Sequence, residues 1–521
     1  MSPDSTTPDE TPRRRRSGGR QRTQEAAQRN LDQVPFQRIR RPFEATRFVS
    51  EDELESIHLA SLEVLRDIGI DVLEPDARAL LAKAGADITD ERVRFDPEMV
   101  TDLISTCPSE FTLHARNSAH DLRIGGDNVV FTAVASPPNV SGAGGGRRSG
   151  NRADFQNLVR LSQHMNSIHM HGGYPVEPAD IHPSVRHLHA THDLLTLSDK
   201  VLHAYSLGRQ RNRDCLEMIR IARQVPDEQL DAEPSVHTVI NTSSPLRLDI
   251  PMVQGIMEYS ARNQVVIITP FTLAGAMAPV TVAGAVTQQN AEALAGMVLT
   301  QVVRPGSPVV YGGFTSNVDM KSGAPAFGTP EFIKSAMLGG QLARRYKVPY
   351  RSSNVNASNA IDAQAGYESA FSLWGAIMGG ANIVFHGAGW LEGGLRASFE
   401  KVVLDADLLS MMQTFLEPVA VDDESLAVHA IADVGPGGHF FGTQHTQDRY
   451  RTAFYNPMIS DWRNFESWEE AGSPTADQKA AELVGTLLAE YEAPPLDEKA
   501  RSELDEFVAK RVEQGGVATD F

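Results

Sequence analysis

Apolar residues recur at helical spacing in the first regular segment of the chain. Ser50 and Glu53 form the S-x-x-E pattern of a capping box. Leu54, Ile57, Leu62, Leu65 and Ile68 follow at intervals of three to five residues until Gly69, which predicts a helix of about five turns. Residues 70–127 mix short helical and strand-like patterns, so residues 48–127 are predicted to form an N-terminal cap.

From residue 128 the pattern changes, because short β-rich runs alternate with helical ones about every 36 residues, the length of a βα unit. The predicted strands are Val129–Ala133, Ile168–Gly172, Val201–Tyr205, His237–Asn241, Val265–Pro270, Val309–Gly313, Val348–Arg351 and Asn382–His386. The predicted helices between and after them are Ala153–Met165, Val185–Leu197, Arg211–Arg223, Pro251–Arg262, Asn290–Val303, Pro330–Tyr346, Ala363–Met378 and Ser398–Thr414.

Runs such as VVIIT (265–269) and NIVF (382–385) are apolar throughout, as expected of parallel strands buried on both faces. Eight consecutive βα units predict an α/β fold, a closed (β/α)8 TIM barrel over residues 128–418. The alternative is an open, doubly wound sheet, but no G-x-G-x-x-G follows the first strand. Residues 419–521 are predicted to be a C-terminal extension that packs on the barrel.

The charge is unevenly distributed. The chain has 48 basic and 67 acidic residues, a net charge of −19, and residues 1–47 alone carry +5 with eleven arginines. This predicts a disordered basic arm over residues 1–47 and a body too acidic to bind nucleic acid. Two isolated cysteines, Cys107 and Cys215, indicate a reducing, cytoplasmic compartment. The absence of a long apolar run argues against a membrane span or secretory signal.

Aromatic residues concentrate where the predicted strands end, although they make up only 7% of the chain. The rim of a TIM barrel carries its chemistry, and aromatic rings there suit a cationic or planar ligand. Packing within the barrel is the alternative explanation for each ring. The residues concerned are Phe131, Tyr174, His203, Tyr205, Phe271, Phe314, Tyr350, His386 and Trp390.

Polar groups crowd the same loops, for example Asn241–Ser244 and Ser352–Asn356, and Arg351 adds one cation that could bind a substrate carboxylate or pair with a neighbouring acid. The H-x-H of His169 and His171 leaves a metal-dependent hydrolase as an alternative. The middle strands, however, end without metal ligands, and the chain lacks HExxH, GxSxG and P-loop motifs. The glycine-rich stretch 142–150 is predicted to be a mobile loop.

Several longer stretches resemble the corrinoid-dependent trimethylamine methyltransferase superfamily, in particular its members without pyrrolysine, such as the glycine betaine methyltransferases. These stretches are TPFTLAGAMAPVTVAGA (269–285), YGGFTSNVDMKSGAPAFGTPEF (311–332), DAQAGYES (362–369), GANIVFHGAGWLEGGLRASFEKVVLDAD (380–407) and GPGGHFFGTQHTQDRYR (435–451). The resemblance implies a TIM barrel that presents a methylated amine to the cob(I)alamin of a separate corrinoid-binding protein, with no metal held by this chain.

The sequence departs from the trimethylamine enzymes of that family at one position. Where they carry pyrrolysine, near the end of strand 7, this chain has Ser353 or Asn354. The departure argues against trimethylamine and favours a quaternary amine, with glycine betaine first among the betaines; a sulfonium analogue has the same charge pattern. A binding or sensing barrel without catalysis would use the same aromatic cage and is kept as the alternative.

The combined interpretation assigns roles to particular residues. His386 and Asn354 are the candidate catalytic residues. The candidate substrate-binding residues are Phe271, Phe314, Tyr350, Trp390 and again His386 for a cage, with Tyr205 in reserve, Arg351, Asn356 and again Asn354 for a carboxylate, and Glu392 either for the ammonium charge or as a helix cap. The tail segment 437–451 is predicted to cross the barrel mouth and receive the corrinoid protein through His439, His445 and Arg449, with plain packing as the alternative. We also expect a homo-oligomer, as is common among such barrels.

Overall fold

The computed structural model describes residue 31 and residues 33–142 and 146–519. Its first helix is capped as predicted, because the Ser50 hydroxyl accepts from the Glu53 N–H while the Glu53 carboxylate accepts from the Ser50 N–H. The N-terminal elements are β1 Ile39–Arg40, α1 Glu51–Glu63, a π-helical turn Val64–Ile68, β2 Ile70–Val72, α2 Pro75–Ala84, β3 Asp87–Thr89, β4 Arg92–Arg94, α3 Pro97–Ser105, β5 Glu110–Leu113, a 3-10 turn Ser118–His120 and β6 Leu122–Gly125.

The predicted disordered arm differs from the structure over part of its length. Residues 1–30 and 32 lie outside the described residues, but residues 33–47 lie against the barrel. Ile39 pairs antiparallel with Val129, and the ring of Phe36 lies 4.5 Å from that of His120. The arginine-rich composition of the whole arm concealed these apolar anchors, which bury enough surface to order the stretch.

The barrel follows in chain order, with each strand of its wall succeeded by a helix. The elements are β7 Asn128–Ala133, β8 Asn139–Ser141, β9 Arg148–Ser149, α4 Arg152–His164, α5 Pro183–Leu197, β10 Leu202–His203, α6 Arg209–Arg223, α7 Asp227–Ala232, β11 Val236–Ile240, β12 Arg247–Leu248, α8 Ile250–Ala261, β13 Val265–Ile268, β14 Leu273–Ala274, α9 Val282–Val303, β15 Val309–Gly312, β16 Ser316–Val318, β17 Pro325–Ala326, α10 Pro330–Tyr346, β18 Tyr350–Ser353, α11 Ala363–Gly379, β19 Ile383–Ala388, β20 Trp390–Leu391, a 3-10 turn Glu392–Gly394, β21 Arg396–Ser398 and α12 Phe399–Phe415.

Parallel pairing closes this wall, in the order β7, β19, β18, β15, β13, β11 and β10. The second predicted strand is reduced to single bridges, in which Met170 pairs with both Thr132 and Val201. The His169 N–H donates to the Phe131 carbonyl at 2.9 Å and the His171 N–H to the Val201 carbonyl at 3.0 Å, so this segment still joins β7 to β10. The predicted (β/α)8 barrel is confirmed.

The predicted helices agree with the observed ones, with one larger difference. Helix α9 begins at Val282 rather than Asn290, because the Thr281 side chain accepts from the Gly284 N–H and caps an earlier start. The added turns are rich in small residues, which the helical periodicity did not reveal.

The hairpin β5–β6 seals the N-terminal end of the barrel. Leu113 and Ile124 are fully buried and belong to one apolar cluster with the barrel-lining side chains Val130, Met170, Val201, Val265, Ile267, Val310, Ile383 and Phe385. Interior positions of a TIM barrel are filled in layers by side chains of alternate strands. The lower layers here are apolar, so a cavity has to lie nearer the C-terminal ends of the strands.

After α12 the chain forms the elements α13 Asp423–Leu426, α14 Val428–Val434, α15 Gln444–Arg449, α16 Phe465–Glu470, α17 Ala476–Ala489 and α18 Glu498–Glu513. Helix α17 packs on α12, and α18 packs on α5 and α6. The intervening stretch exposes large apolar side chains, with Phe441 81% and Phe454 84% exposed. Across the described residues, none of the helices combines the length and apolar character that crossing a bilayer requires.

The hairpin seal predicts an asymmetric effect of substitutions on stability. Leu113→Ala, which removes a fully buried side chain, should lower the free energy of unfolding by about 2–5 kcal/mol. Thr112→Ala, on the opposite face of the same strand, should change it by less than about 1 kcal/mol. Thermal unfolding followed by differential scanning fluorimetry measures both. Equal shifts of the melting temperature would contradict the proposed seal.

Candidate active site

A cavity of about 350 Å³ lies at the C-terminal ends of the barrel strands. Ser136 and Asn241 are exposed at its rim, so the cavity reaches solvent through the barrel mouth. Its lining residues are Ala135, Ser136, Gly172, His203, Tyr205, Val239, Asn241, Met252, Thr269, Phe271, Phe314, Arg351, Phe385, His386, Trp390 and Gly394. This position is the one at which TIM-barrel enzymes place their active sites.

Aromatic rings form one wall of the cavity around Phe314. The Phe314 ring lies 5.4 Å from Phe271 and 5.6 Å from His386. His386 in turn stacks on Trp390 at 5.1 Å with an interplanar angle of 17°. These four residues, all predicted to form a cage, are therefore brought together, and their electron-rich faces can attract a cation.

Phe327, which the sequence analysis did not single out, supports this wall from behind. It is almost fully buried, and its ring lies 5.4 Å from Phe314 and 5.2 Å from Trp390. Residues 325–326 immediately before it form β17, which pairs antiparallel with β16. Phe327 belongs to the stretch YGGFTSNVDMKSGAPAFGTPEF, so its presence in that motif was the available signal.

A local irregularity of β19 turns His386 into the cavity. Consecutive residues of a strand normally point to opposite faces, yet Phe385 and His386 both line the cavity. His386 has a φ of +54°, and the pairing of β19 with β7 shifts register between Val384 and Ala388. Such bulges re-aim side chains beside active sites. Thr132 stabilises the bulge, since its hydroxyl accepts from the His386 N–H at 3.1 Å.

Arg351 places a positive charge deeper in the barrel. Its side chain is only 2% exposed, its Nη1 donates to the Gly313 carbonyl at 3.3 Å, and its guanidinium lies 4.6 Å from the ring of Phe385. Burial lowers the pKa of Arg351 to about 9. Within the described part of the chain neither Asp nor Glu lines the cavity, and Arg351 Nε has no hydrogen-bond partner. The cavity therefore holds a cation that an anionic ligand group can neutralise.

His203 contributes a neutral donor to the same cavity. Its Nε2 accepts from the Val239 N–H at 3.2 Å, which places the ring proton on Nδ1. Among the described residues, Nδ1 has no hydrogen-bond partner. Burial holds the pKa of His203 well below its usual value, and burial followed by the nearby Arg351 does the same for the pKa of His386.

Tyr350, Asn354 and Asn356, which were predicted site residues, do not line the cavity. Tyr350 points to the helical layer, where its hydroxyl donates to the Ala336 carbonyl at 2.7 Å. The Asn354 amide donates to the Gly387 carbonyl at 2.9 Å, and the Asn356 amide donates to the Trp390 carbonyl at 2.8 Å. Both asparagines thus hold the chain around His386 and Trp390 in place, and we correct their assignments to positioning roles.

Glu392 is already neutralised by neighbouring arginines. One carboxylate oxygen lies 3.0 Å from Arg396 Nε and the other 3.2 Å from Arg147 Nη1. The following helix is capped by Ser398 instead, and Glu392 is not among the residues that line the cavity. Arg147 belongs to the glycine-rich loop that was predicted to be mobile, of which residues 143–145 lie outside the described residues.

The three residues predicted to meet a corrinoid protein contact their own segment. Arg449 pairs with Glu424 at 3.0 Å, the His439 ring lies 6.0 Å from Phe441, and the His445 ring lies 6.1 Å from His429. The segment leaves α12 at the end that follows Phe415, which in a βα barrel is the end away from the mouth. Arg449, His439 and His445 do not line the cavity, and the crossing of the mouth stays a prediction.

The predicted H-x-H pair does not form a metal centre in the described structure. The His169 Nδ1 accepts from the Phe131 N–H at 3.0 Å, and His171 Nε2 lies 2.7 Å from the Ser198 hydroxyl. Over residues 31, 33–142 and 146–519, the His, Cys, Asp and Glu side chains form no group of three or more that could hold a metal ion.

Comparison with known proteins shows to which protein family the chain belongs. The model of the trimethylamine methyltransferase (MTTB) family matches residues 15–516. The chain belongs to this family. The assignment made from the sequence motifs is confirmed.

The curated relatives cover nearly the whole chain. A glycine betaine methyltransferase of Desulfitobacterium hafniense (strain Y51) is 34% identical over 469 residues, which are 90% of this chain and 98% of the relative. The trimethylamine methyltransferase MttB of Desulfitobacterium hafniense (strain DSM 10664 / DCB-2) is 29% identical over 90% of this chain and 95% of the relative.

A solved structure supports the fold. The crystal structure of the hydroxylamine MtmB complex matches with a TM-score of 0.50 at 12% identity, over 86% of this chain and 89% of that chain.

The geometry of His203 predicts a defined protonation state. Because burial lowers the pKa of both His203 and His386, both rings should stay neutral from about pH 8 down to about pH 6 and become protonated only in more acidic solution. Histidine-selective ¹⁵N NMR should show His203 protonated at Nδ1, and His203→Phe assigns the signal. A titration of either ring near pH 6.5 would contradict the prediction.

Proposed function

We propose that this protein transfers a methyl group from a zwitterionic quaternary amine, with glycine betaine first, to the cob(I)alamin of a separate corrinoid protein. The observation that carries the proposal is the pairing of an aromatic wall with an unneutralised buried guanidinium in one cavity of about 350 Å³. A trimethylammonium group fits the rings and a carboxylate fits Arg351. The glycine betaine methyltransferase relative at 34% identity supports the same choice.

The order of these groups along the barrel supports a direction of binding. Arg351 lies within β18, in register with Gly312, whereas Phe314 and Trp390 come after the ends of β15 and β19. A betaine bound with its carboxylate on Arg351 therefore directs its ammonium towards the mouth. A methyl group held there is accessible to a partner that approaches from outside, and a fixed orientation contributes to rate.

The proposed reaction demands little chemistry from the chain itself. Cob(I)alamin, when bound, supplies the nucleophile, and the quaternary amine leaves as a neutral tertiary amine. The cavity residues bind and orient the ammonium, exclude water and hold the carboxylate. Accordingly His386, neutral and stacked on Trp390, serves as a ring of the cage rather than as a proton donor.

The position of the cavity opening bears on the partner, and the two cysteines bear on the compartment. The corrinoid protein is proposed to dock over the mouth around the exposed Ser136 and Asn241, since the cavity opens there. The tail residues His439, His445 and Arg449 contact their own segment and are left out of the proposed docking surface. Both cysteines are free thiols, which suits the cytoplasm.

A panel of methyl donors tests the function. Purified protein with cob(I)alamin should form methylcobalamin from glycine betaine and release N,N-dimethylglycine, scored by absorption and product mass, with trimethylamine inactive. Trp390→Leu should raise KM about 10-fold or more, because one face of the cage is lost. Trp468→Leu, on α16, is the matched control.

The outcomes separate the competing functions. Tight betaine binding without cobalamin methylation would replace the proposal by a binding or sensing barrel. A sulfonium substrate preferred over every betaine would keep the enzyme and change its substrate. No binding and no turnover by folded protein would reject both the enzyme and the binding or sensing barrel.

We also propose that the protein is a homo-oligomer. Tyr367, Phe371 and Trp374 are 63%, 42% and 42% exposed along one face of α11, and the ring of Trp374 lies 5.5 Å from that of Phe415 at the end of α12. Phe441 and Phe454 form a second set of exposed apolar rings. A second copy can cover both apolar surfaces at once, which monomeric proteins rarely leave open.

Light scattering after size-exclusion chromatography tests this assembly. The wild type should elute as a dimer or larger oligomer. The double variant Phe371→Asp, Trp374→Asp should shift to the monomer mass, because two charges would be desolvated in the interface. Lys334→Glu, an exposed charge change on α10, should leave the mass unchanged. A monomeric wild type at micromolar concentration would reject the proposal.

A further inference from the structure

The polar floor of the cavity is built by three alternate strands of the barrel. His203 belongs to β10, Thr269 follows β13 directly, and Arg351 belongs to β18. Two residues earlier on their strands stand the apolar side chains Val201 and Ile267, which fill the sealed part of the interior. Since side chains two apart share a strand face, His203 and Thr269 form the next layer up, level with the cavity.

Each of these three residues has a buried polar atom without a partner among the described residues. The atoms are His203 Nδ1, Thr269 Oγ1 and Arg351 Nε. All three side chains are at most 2% exposed and all line the same cavity. Buried polar groups are normally satisfied, so three unsatisfied donors around one cavity indicate a missing acceptor.

His237 lies next to His203, but the two rings make different hydrogen bonds. The rings of His203 and His237 lie 5.0 Å apart. His237 Nε2 lies 3.0 Å from the His171 carbonyl and donates to it, so its remaining Nδ1 is an acceptor. His203 has the opposite tautomer, since its Nε2 accepts from the Val239 N–H. Of the two rings, His203 is therefore the one that can donate into the cavity.

Gly312 keeps the space for this floor. A Cβ on residue 312 would overlap the Thr269 hydroxyl and the carbonyl of Ile268. Gly312 pairs with Arg351 across β15 and β18, so the strand between Thr269 and Arg351 contributes no side chain to the floor. The missing side chain therefore leaves room for the Thr269 hydroxyl itself.

We propose that His203 and Thr269, together with Arg351, form a three-donor site for the carboxylate of the substrate. The inference rests on the proposed function, which assigned the carboxylate to Arg351 alone, and it adds two specificity-determining residues. One carboxylate offers enough lone pairs to accept from all three donors. A quaternary amine without a carboxylate would leave these donors unsatisfied, so the site selects betaines over choline-like or tetraalkylammonium cations.

Calorimetric titration with three ligands tests the site without any need for turnover. The ligands are glycine betaine, its uncharged-head isostere 3,3-dimethylbutyrate, which keeps only the carboxylate, and tetramethylammonium, which keeps only the cation. Thr269→Val removes one hydroxyl at nearly constant volume and should weaken both carboxylates about 10-fold while leaving tetramethylammonium unchanged. Thr300→Val, a buried threonine of α9 that bonds within its own helix, is the matched control.

His203→Phe should weaken the two carboxylates by about 10- to 100-fold, again with no loss for tetramethylammonium. If this variant fails to fold, Thr269→Val decides alone. Unchanged carboxylate affinities, or equal losses for all three ligands, would overturn the three-donor site. Normal methyl transfer from glycine betaine together with unchanged affinities in the variants would remove only this inference. A wild type that binds none of the ligands would instead remove the proposed function.

Discussion

A guanidinium buried without a carboxylate partner is the constraint around which the interior of this barrel is organised. Arg351 is held by the Gly313 carbonyl and by the faces of Phe314 and Phe385. Below it the hairpin β5–β6 and the apolar layers exclude water, which strengthens any charge interaction above them. The stability lost by burying an unpaired charge is recoverable when a ligand brings the missing anion. The buried charge of Arg351 therefore favours a ligand that carries an anionic group.

The aromatic wall solves the opposite electrostatic problem at the mouth. Rings attract a quaternary ammonium without a formal negative charge, and a carboxylate there would compete with the anionic group of the proposed substrate for Arg351. Local strain contributes to this wall, because His386 occupies the left-handed region at a bulge. Asn354 and Asn356 hold the chain around it through the carbonyls of Gly387 and Trp390. The two ends of the cavity thus match the two ends of the proposed zwitterionic substrate.

Much of this organisation could be predicted from residues alone. The apolar periodicity located the barrel elements, and the concentration of rings at strand ends found Phe271, Phe314, His386 and Trp390. Other assignments failed where a shift of one or two residues decides which face a side chain takes. Tyr350 was placed in the cage, yet it faces α10, and the predicted strand 348–351 is observed as Tyr350–Ser353. His203 was listed among the aromatic residues, but nothing in the sequence indicated that its Nδ1 is a hydrogen-bond donor.

The sequence by itself determined the family, the eightfold alternation and the chemical inventory of the rim, because periodicity and motifs are properties of residue order. Tertiary structure decided which of those groups meet. Thr269, Arg351 and His203 come from strands far apart in the chain, and only closure of the barrel brings them around one cavity. The tautomer of His203 depends on the Val239 N–H of a neighbouring strand. Which donors remain free is thus a property of the packed molecule.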